Sequence, residues 1–403
     1  MSVANPINQP IPVTKLDERR ALGVASGAHA LHDGYTDLIY VMLPIWQKEF
    51  GLSYAALGLL RTCFAGTMAT LQIPSGLISE RLGVALVLAT GTALAGIGYC
   101  VAGLSTNFAM LVVALLLGGV GASTQHPLAS TLVARAFAGP RSLKALGTYN
   151  FAGDIGKMTL PATASVLLVF MSWQPTLALL GILGLIAALV IFQLTPRLSA
   201  EHAAAAEKTK TPAHKVTASR FGFPILVSIG AIDSATRMAF LTFLPFLLLA
   251  KGASLPTVGF SLSLVFAGGA VGKLVCAFIG ARIGAMPTVY LTEGLTTAGI
   301  LALLPLPLEV ALVLLPVIGV ALNGTSSVLY GSVPDLVPPE KQARAFSIFY
   351  TGTIGSGALS PAIYGLVGDT LGVTHTLIVV AAICLLTIPL ARLLQPSLGF
   401  ARE

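Results

Sequence analysis

The sequence predicts an all-α membrane protein of twelve transmembrane helices in two pseudo-symmetric six-helix bundles, and three observations carry that expectation. The 403 residues are 55% hydrophobic and only 10% charged, well under the roughly one quarter that soluble domains carry. Apolar stretches of about 20 residues, the length that spans a bilayer, follow one another along nearly the whole chain, parted by short runs of Gly, Pro, Ser and charge. Residues of the first half recur in the second at an offset of about 200, an internal repeat that constrains any fold assignment.

The expected spans are 22–47, 53–79, 84–104, 108–135, 143–170 and 173–195, then 222–250, 255–280, 286–306, 308–333, 343–368 and 373–394. Continuous apolar runs of this length exclude a transmembrane barrel, whose strands alternate over about ten residues. The N-terminal MSVANPINQPIPVTKLDERR lacks the charged-then-apolar order of a signal peptide, so the first span is expected to stay as a membrane helix. Cys63, Cys100, Cys276 and Cys384 fall in different spans without CxxC spacing and read as small buried hydrophobes.

The net charge of +7 reflects topology rather than nucleic-acid binding. With the N-terminus in the cytoplasm, 17 of the 23 Lys and Arg fall in inside loops, and only Lys48 and Lys251 fall outside. That asymmetry puts both termini in the cytoplasm of a bacterial inner membrane protein. Residues 1–195 and 221–403 are expected to form the two bundles, and 196–220, PRLSAEHAAAAEKTKTPAHKVTASR, a cytoplasmic linker.

Between the halves Asp33 answers to Asp233, Asp37 to Arg237, Pro44 to Pro245, Gly51 to Gly252, Ser53 to Ser254 and Gly58 to Gly259. GLISERLG at 76–83 matches AFIGARIG at 277–284, and GDIG at 153–156 matches GTIG at 352–355, each followed by Pro161 or Pro361. Two six-helix halves joined by a basic linker resemble the major facilitator superfamily from end to end. In the loop after the second span, Gly76, Glu80, Arg81 and Gly83 fit that family's signature and give Arg81 a gating role; Val84 and Ala85 stand where it has basic residues. His29 with Asp33, and Val120–Pro127 with its His126–Pro127 pair, are similar to the fosmidomycin-resistance type of efflux transporter. The resemblance implies alternating access around a midplane site between the halves and export of a phosphonate such as fosmidomycin.

The four remaining cations, Arg61, Lys157, Arg237 and Lys273, lie inside spans. A central Arg, Lys or Asp costs at least about 2.5–3.5 kcal/mol in lipid, so such groups face the protein interior or a wet cavity. His29, Asp33 and Asp37, spaced i, i+4, i+8, make one stripe that is expected to line the central cavity, with His32 to its side. Asp154 and Lys157, spaced i, i+3, either neutralise each other or serve the substrate; Gly147, Gly153 and Gly156 would let another helix pack closely. Asp233 and Arg237 are i, i+4, and the repeat suggests an Asp37–Arg237 gate between halves. Lys273 is read as snorkelling towards the cytoplasm, and Arg61 as bound to Asp33 or a substrate anion.

These residues point to a secondary active transporter that exports a small anionic or zwitterionic compound in exchange for protons. Asp33 and Asp154 are the candidate proton carriers, since burial can bring a carboxylate to alternate between charged and neutral forms. His29, Arg61, His126, Lys157 and Arg237 are the substrate-binding candidates; Asp37, Asp233, Arg237 and Arg81 are the gating candidates. Proton-symport uptake of an organic anion is the alternative. A transition-metal path through His29, His32, Asp33, Asp37 and His126 is a third, disfavoured by the surplus of cations. No P-loop, HExxH or GxSxG is present, which argues against ATP-driven transport and enzymatic activity. The expected partners are a small-molecule substrate, protons and the bilayer, with no nucleic acid, no cofactor and no resident metal, and the expected state is a monomer.

Overall fold

The structure, a computed structural model, describes residues 13–137, 140–198, 221–338 and 341–398. Most of the expected linker, 199–220, lies outside the described residues. All regular structure among the described residues is helical. The first half contains α1 (Lys15–Phe50), α2 (Tyr54–Leu82), α3 (Val84–Gly103), α4 (Phe108–Ala122), α5 (Gln125–Ala136), α6 (Pro140–Phe170) and α7 (Trp173–Leu194). The second contains α8 (Gly222–Ala250), α9 (Leu255–Ile283), α10 (Ala285–Leu303), α11 (Leu308–Gly331), α12 (Val333–Leu336), α13 (Gln342–Cys384) and α14 (Thr387–Leu398).

Local chemistry sets the boundaries. Thr14 and Asp17 exchange hydrogen bonds, each 3.1 Å between backbone N–H and side-chain oxygen, to close the start of α1. α1 ends at Gly51 with φ 60°, and α8 is followed by Gly252 with φ 89°, a left-handed backbone that glycine adopts without Cβ strain. After each turn a serine caps the next helix: Ser53 accepts from the Ala56 N–H and Ser254 from the Thr257 N–H. The repeat read in the sequence is thus a repeat of turn chemistry.

Two expected spans are built differently. The span 108–135 breaks into α4 and α5 at Ser123 and Thr124. Pro127 has no N–H to give the Ser123 carbonyl four residues back, so the break falls a turn before the proline. The Ser123 hydroxyl donates to the Val120 carbonyl at 2.7 Å and lies 2.8 Å from the Ser75 hydroxyl of α2. The spans 343–368 and 373–394 instead share the long α13, which turns at Gly372 (φ 76°, ψ 173°), and the second finishes as α14.

Seven described helical stretches are long and apolar enough to cross a membrane by length and composition. α1, α2, α6 and α10 fall outside that set, and each carries at least one charged residue within its run.

The halves meet through two equivalent pairings, α2 against α13 and α6 against α9. Gly58 lies against the backbone of Pro361, and Gly259 against Pro161 and Ser165, with no room for a Cβ at either. The Thr62 hydroxyl donates to the Ala358 carbonyl at 2.7 Å, and Ser263 to that of Met158 at 2.5 Å. At one end Asp369 accepts from the N–H groups of Tyr54 (2.6 Å) and Ala55 (3.1 Å), so a residue of the second half caps a helix of the first. Towards the other end, where α1 begins and α2 finishes, the packing opens: at Gly66, Gly76, Gly147 and Gly355 nothing lies within 4 Å of an added Cβ.

Candidate functional site

Asp33 is the centre of the site. Its carboxylate lies 3.2 Å from Lys157 Nζ, 3.4 Å from His29 Nε2 and 3.8 Å from His32 Nε2. α6 reaches it because Gly153 carries no side chain: a Cβ there would sit 2.7 Å from both Asp33 Oδ2 and His29 Cε1. Gly156 similarly abuts the Ala30 backbone of α1, whereas Gly147 has no such neighbour. The polar stripe is therefore roofed by α6 instead of lining open space: His29, Asp33 and Asp37 are all buried. Lys157, its side chain 29% exposed, carries the network towards the gap between the halves.

The His29 ring has a defined orientation. Nδ1 lies 2.9 Å from the Tyr149 carbonyl oxygen, which can only accept, so Nδ1 carries the hydrogen and Nε2 faces Asp33. Tyr149 stacks on the ring at 4.1 Å, and His126 meets His29 and His32 edge-on at 5.3 and 4.8 Å. One donor atom each from His29, Asp33 and His126 falls within 4.8 Å of the others, an arrangement that could gather a cation. Lys157 already supplies one to Asp33.

The remaining charges pair differently from the sequence expectation. Asp154 turns to Lys273 of α9, at 2.6 Å, rather than to Lys157, and Lys273 is held there rather than snorkelling. Asp37 faces Arg61, with Nη2 at 3.9 Å, and makes no ion pair with Arg237 among the described residues. Arg61 also donates to the Tyr40 hydroxyl at 3.2 Å, and the Tyr40 hydroxyl donates to Met238 Sδ of α8 at 3.1 Å. Arg61 Nε and Nη1 stay buried without partners. The surplus of cations is thus met from within the protein: Arg61, Lys157 and Lys273 each face a carboxylate from another helix.

In the second half Asp233, Ser234 and Arg237 line a cavity of about 330 Å³ with Tyr330, Phe349 and Tyr350. Asp233 and Arg237 form no ion pair there, and Arg237 Nε has no hydrogen-bond partner. Arg81 is exposed and joins none of the ion pairs among the described residues.

One functional candidate escaped the sequence reading, and a second has a larger part than helical spacing suggests. His32 stands to the side of the stripe by helical angle, yet its Nε2 lies 3.8 Å from Asp33. Glu293 of α10, 1% exposed, is an isolated acid in the apolar run TVYLTEGLTTAG, and that isolation was the signal available.

Comparison with known proteins places these features in context. The sequence profile of the Major Facilitator Superfamily matches residues 26–322 and 226–399. The chain is 26% identical over 355 residues to the fosmidomycin resistance protein of Escherichia coli K12, covering 86% of each chain. It is 23% identical over 249 residues to the probable L-galactonate transporter of the same organism, covering 58% of this chain and 55% of that one. Among solved structures, a bacterial homolog of the human lysosomal transporter Spinster, inward-facing and occupied, superposes with a TM-score of 0.81 at 14% identity over 97% of this chain and 99% of that one. The nucleoside transporter NupG superposes at 0.76 with 14% identity over 94% and 99%. At these identities the structural matches speak for the fold alone.

Proposed function

Because the chain belongs to the Major Facilitator Superfamily, and so is a transporter rather than an enzyme, we propose that it exports a small anionic or zwitterionic organic compound in exchange for protons. The two units that rock past each other are residues 1–195 and 221–403, working as a monomer. The observation that carries the reading is the buried Asp33 shared by Lys157, His29 and His32, at the edge of the gap between the halves.

A proton on Asp33 removes the charge that holds Lys157. A substrate amine reaching Asp33 competes with that proton, while an anionic group of the same molecule can take Lys157. Competition at one carboxylate is what exchange requires, and a zwitterion supplies it best. The E. coli relative is named for resistance to fosmidomycin, which supports outward movement of a phosphonate-like compound here. With the basic-residue end in the cytoplasm of a bacterial inner membrane, the gap opens inward and the glycine-packed, Asp369-capped end is the closed outer gate. Asp37 trades Arg61 for Arg237 when the halves rock, which makes those three residues the gate.

One observation favours a second reading. The proton that neutralises Asp33 also frees Lys157 for an anion, so proton and a purely anionic substrate would bind together, as uptake by symport requires. Flux into proteoliposomes under an imposed pH gradient, with anionic phosphonates, cationic dyes and divalent metals in parallel, tests the coupling. Substrate added to lightly buffered purified protein decides the mode: proton release supports exchange, proton uptake supports symport, and neither sinks the role of Asp33.

A further inference from the structure

Behind the cavity wall of the second half lies a pair of acids outside the mechanism above. Asp233 of α8 lines the cavity. The carboxyl of Glu293 of α10 stands beside it. Two ionised carboxylates side by side offer only acceptors and repel each other, so two acids this close and this buried keep a proton between them. Beside Glu293 stands a weak donor: the Cys384 thiol of α13 donates to its Oε2 at 3.0 Å, too little to compensate a full buried charge. Neither acid makes an ion pair with a Lys, Arg or His among the described residues. Among the described residues the cation that acts on Asp233 is Arg237, a turn further along α8.

Charge accounting points the same way. Asp233 and Glu293 are 4% and 1% exposed, and an uncompensated charge at such a depth costs several kcal/mol, on the order of the penalty per buried ion in proteins. One guanidinium and one retained proton neutralise two carboxyls. Glu293 is the more deeply buried of the two, and Asp233 is the one that lines the cavity.

We propose that Asp233 and Glu293 form a second proton-binding site, loaded from cavity water through Asp233 and storing the proton on Glu293. Only O–H bonds change: cavity hydronium gives its proton to Asp233, and Asp233 passes a proton to Glu293. The site is separate from Asp33 and belongs to the other half. It extends the proton-coupled reading and depends on it only for the use the cell makes of the proton.

Infrared difference spectroscopy on the purified full-length protein in lipid nanodiscs tests it. The wild type at neutral pH should show the C=O stretch of a protonated carboxyl, shifted in D₂O; Glu293→Gln should lose that band, and Asp33→Asn should retain it. A wild type without the band, or a Glu293→Gln protein that keeps it, overturns the proposal. Should Glu293→Gln fail to fold, dicyclohexylcarbodiimide, which reacts with protonated carboxyls in apolar surroundings, gives the answer on the wild type by mass spectrometry. Labelling at Glu293 supports the site, and an unlabelled Glu293 peptide overturns it. Both measurements report on the pair alone, so their outcome holds whatever the flux experiment gives.

Discussion

Asp33→Asn strands the Lys157 ammonium that now sits 3.2 Å from the carboxylate. Breaking one side of a buried pair costs about 3–5 kcal/mol, so the single variant should unfold at a lower temperature. Asp33→Asn with Lys157→Gln removes both charges and should recover most of that loss, while pH-driven transport stays absent in both. Thermal unfolding and gradient-driven flux check the two halves of this statement; transport at the wild-type rate in either variant would remove Asp33 from coupling. Gly153→Ala should also slow transport, since its Cβ has no place beside Asp33 and His29. The stripe of His29, Asp33 and Asp37 was legible from helical spacing alone. Its partners were not, because which cation reaches which acid depends on how closely α6 lies on α1, a tertiary distance that the i, i+3 spacing of Asp154 and Lys157 does not encode.

At the scale of helices, the Asp154–Lys273 bridge ties α6 to α9 across the two halves. Reversing either charge alone should impair transport, and Asp154→Lys combined with Lys273→Asp should restore part of it. A double variant no better than the singles would mean that the pair is incidental, since contacting residues show coupling in such cycles. Gly58 permits the backbone approach of α2 to Pro361. Gly58→Leu should hold that end apart and raise the labelling of an Ala362→Cys variant by a membrane-impermeant maleimide; unchanged labelling would show that the end closes elsewhere. The spans themselves were legible because lipid demands length and apolarity. The break at Ser123 and the joining of two spans in α13 were not, since the first turns on a hydrogen bond missing four residues upstream of Pro127 and the second on the φ of Gly372.

For the molecule as a whole, two halves built on one pattern were visible in the matched Gly, Ser and Pro positions, and the same positions turn out to form equivalent turns, caps and close contacts. What the pattern concealed is an unequal division of charge. The first half presents Asp33, Asp37 and Asp154 to Lys157, Arg61 and Lys273, the last reaching in from α9. The second keeps two acids with Arg237. Once the proton between Asp233 and Glu293 is included, the interior sums to neutrality. Moving one elementary charge through the membrane field is worth about 2.3 kcal/mol per 100 mV, and a neutral interior feels none of it. The empty protein should therefore reorient without displacing charge, indifferent to the voltage across the membrane. Recordings on a solid-supported bilayer should show no current transient until substrate or a pH step is applied, and a transient in the empty protein would mean that the interior carries a net charge as the halves move.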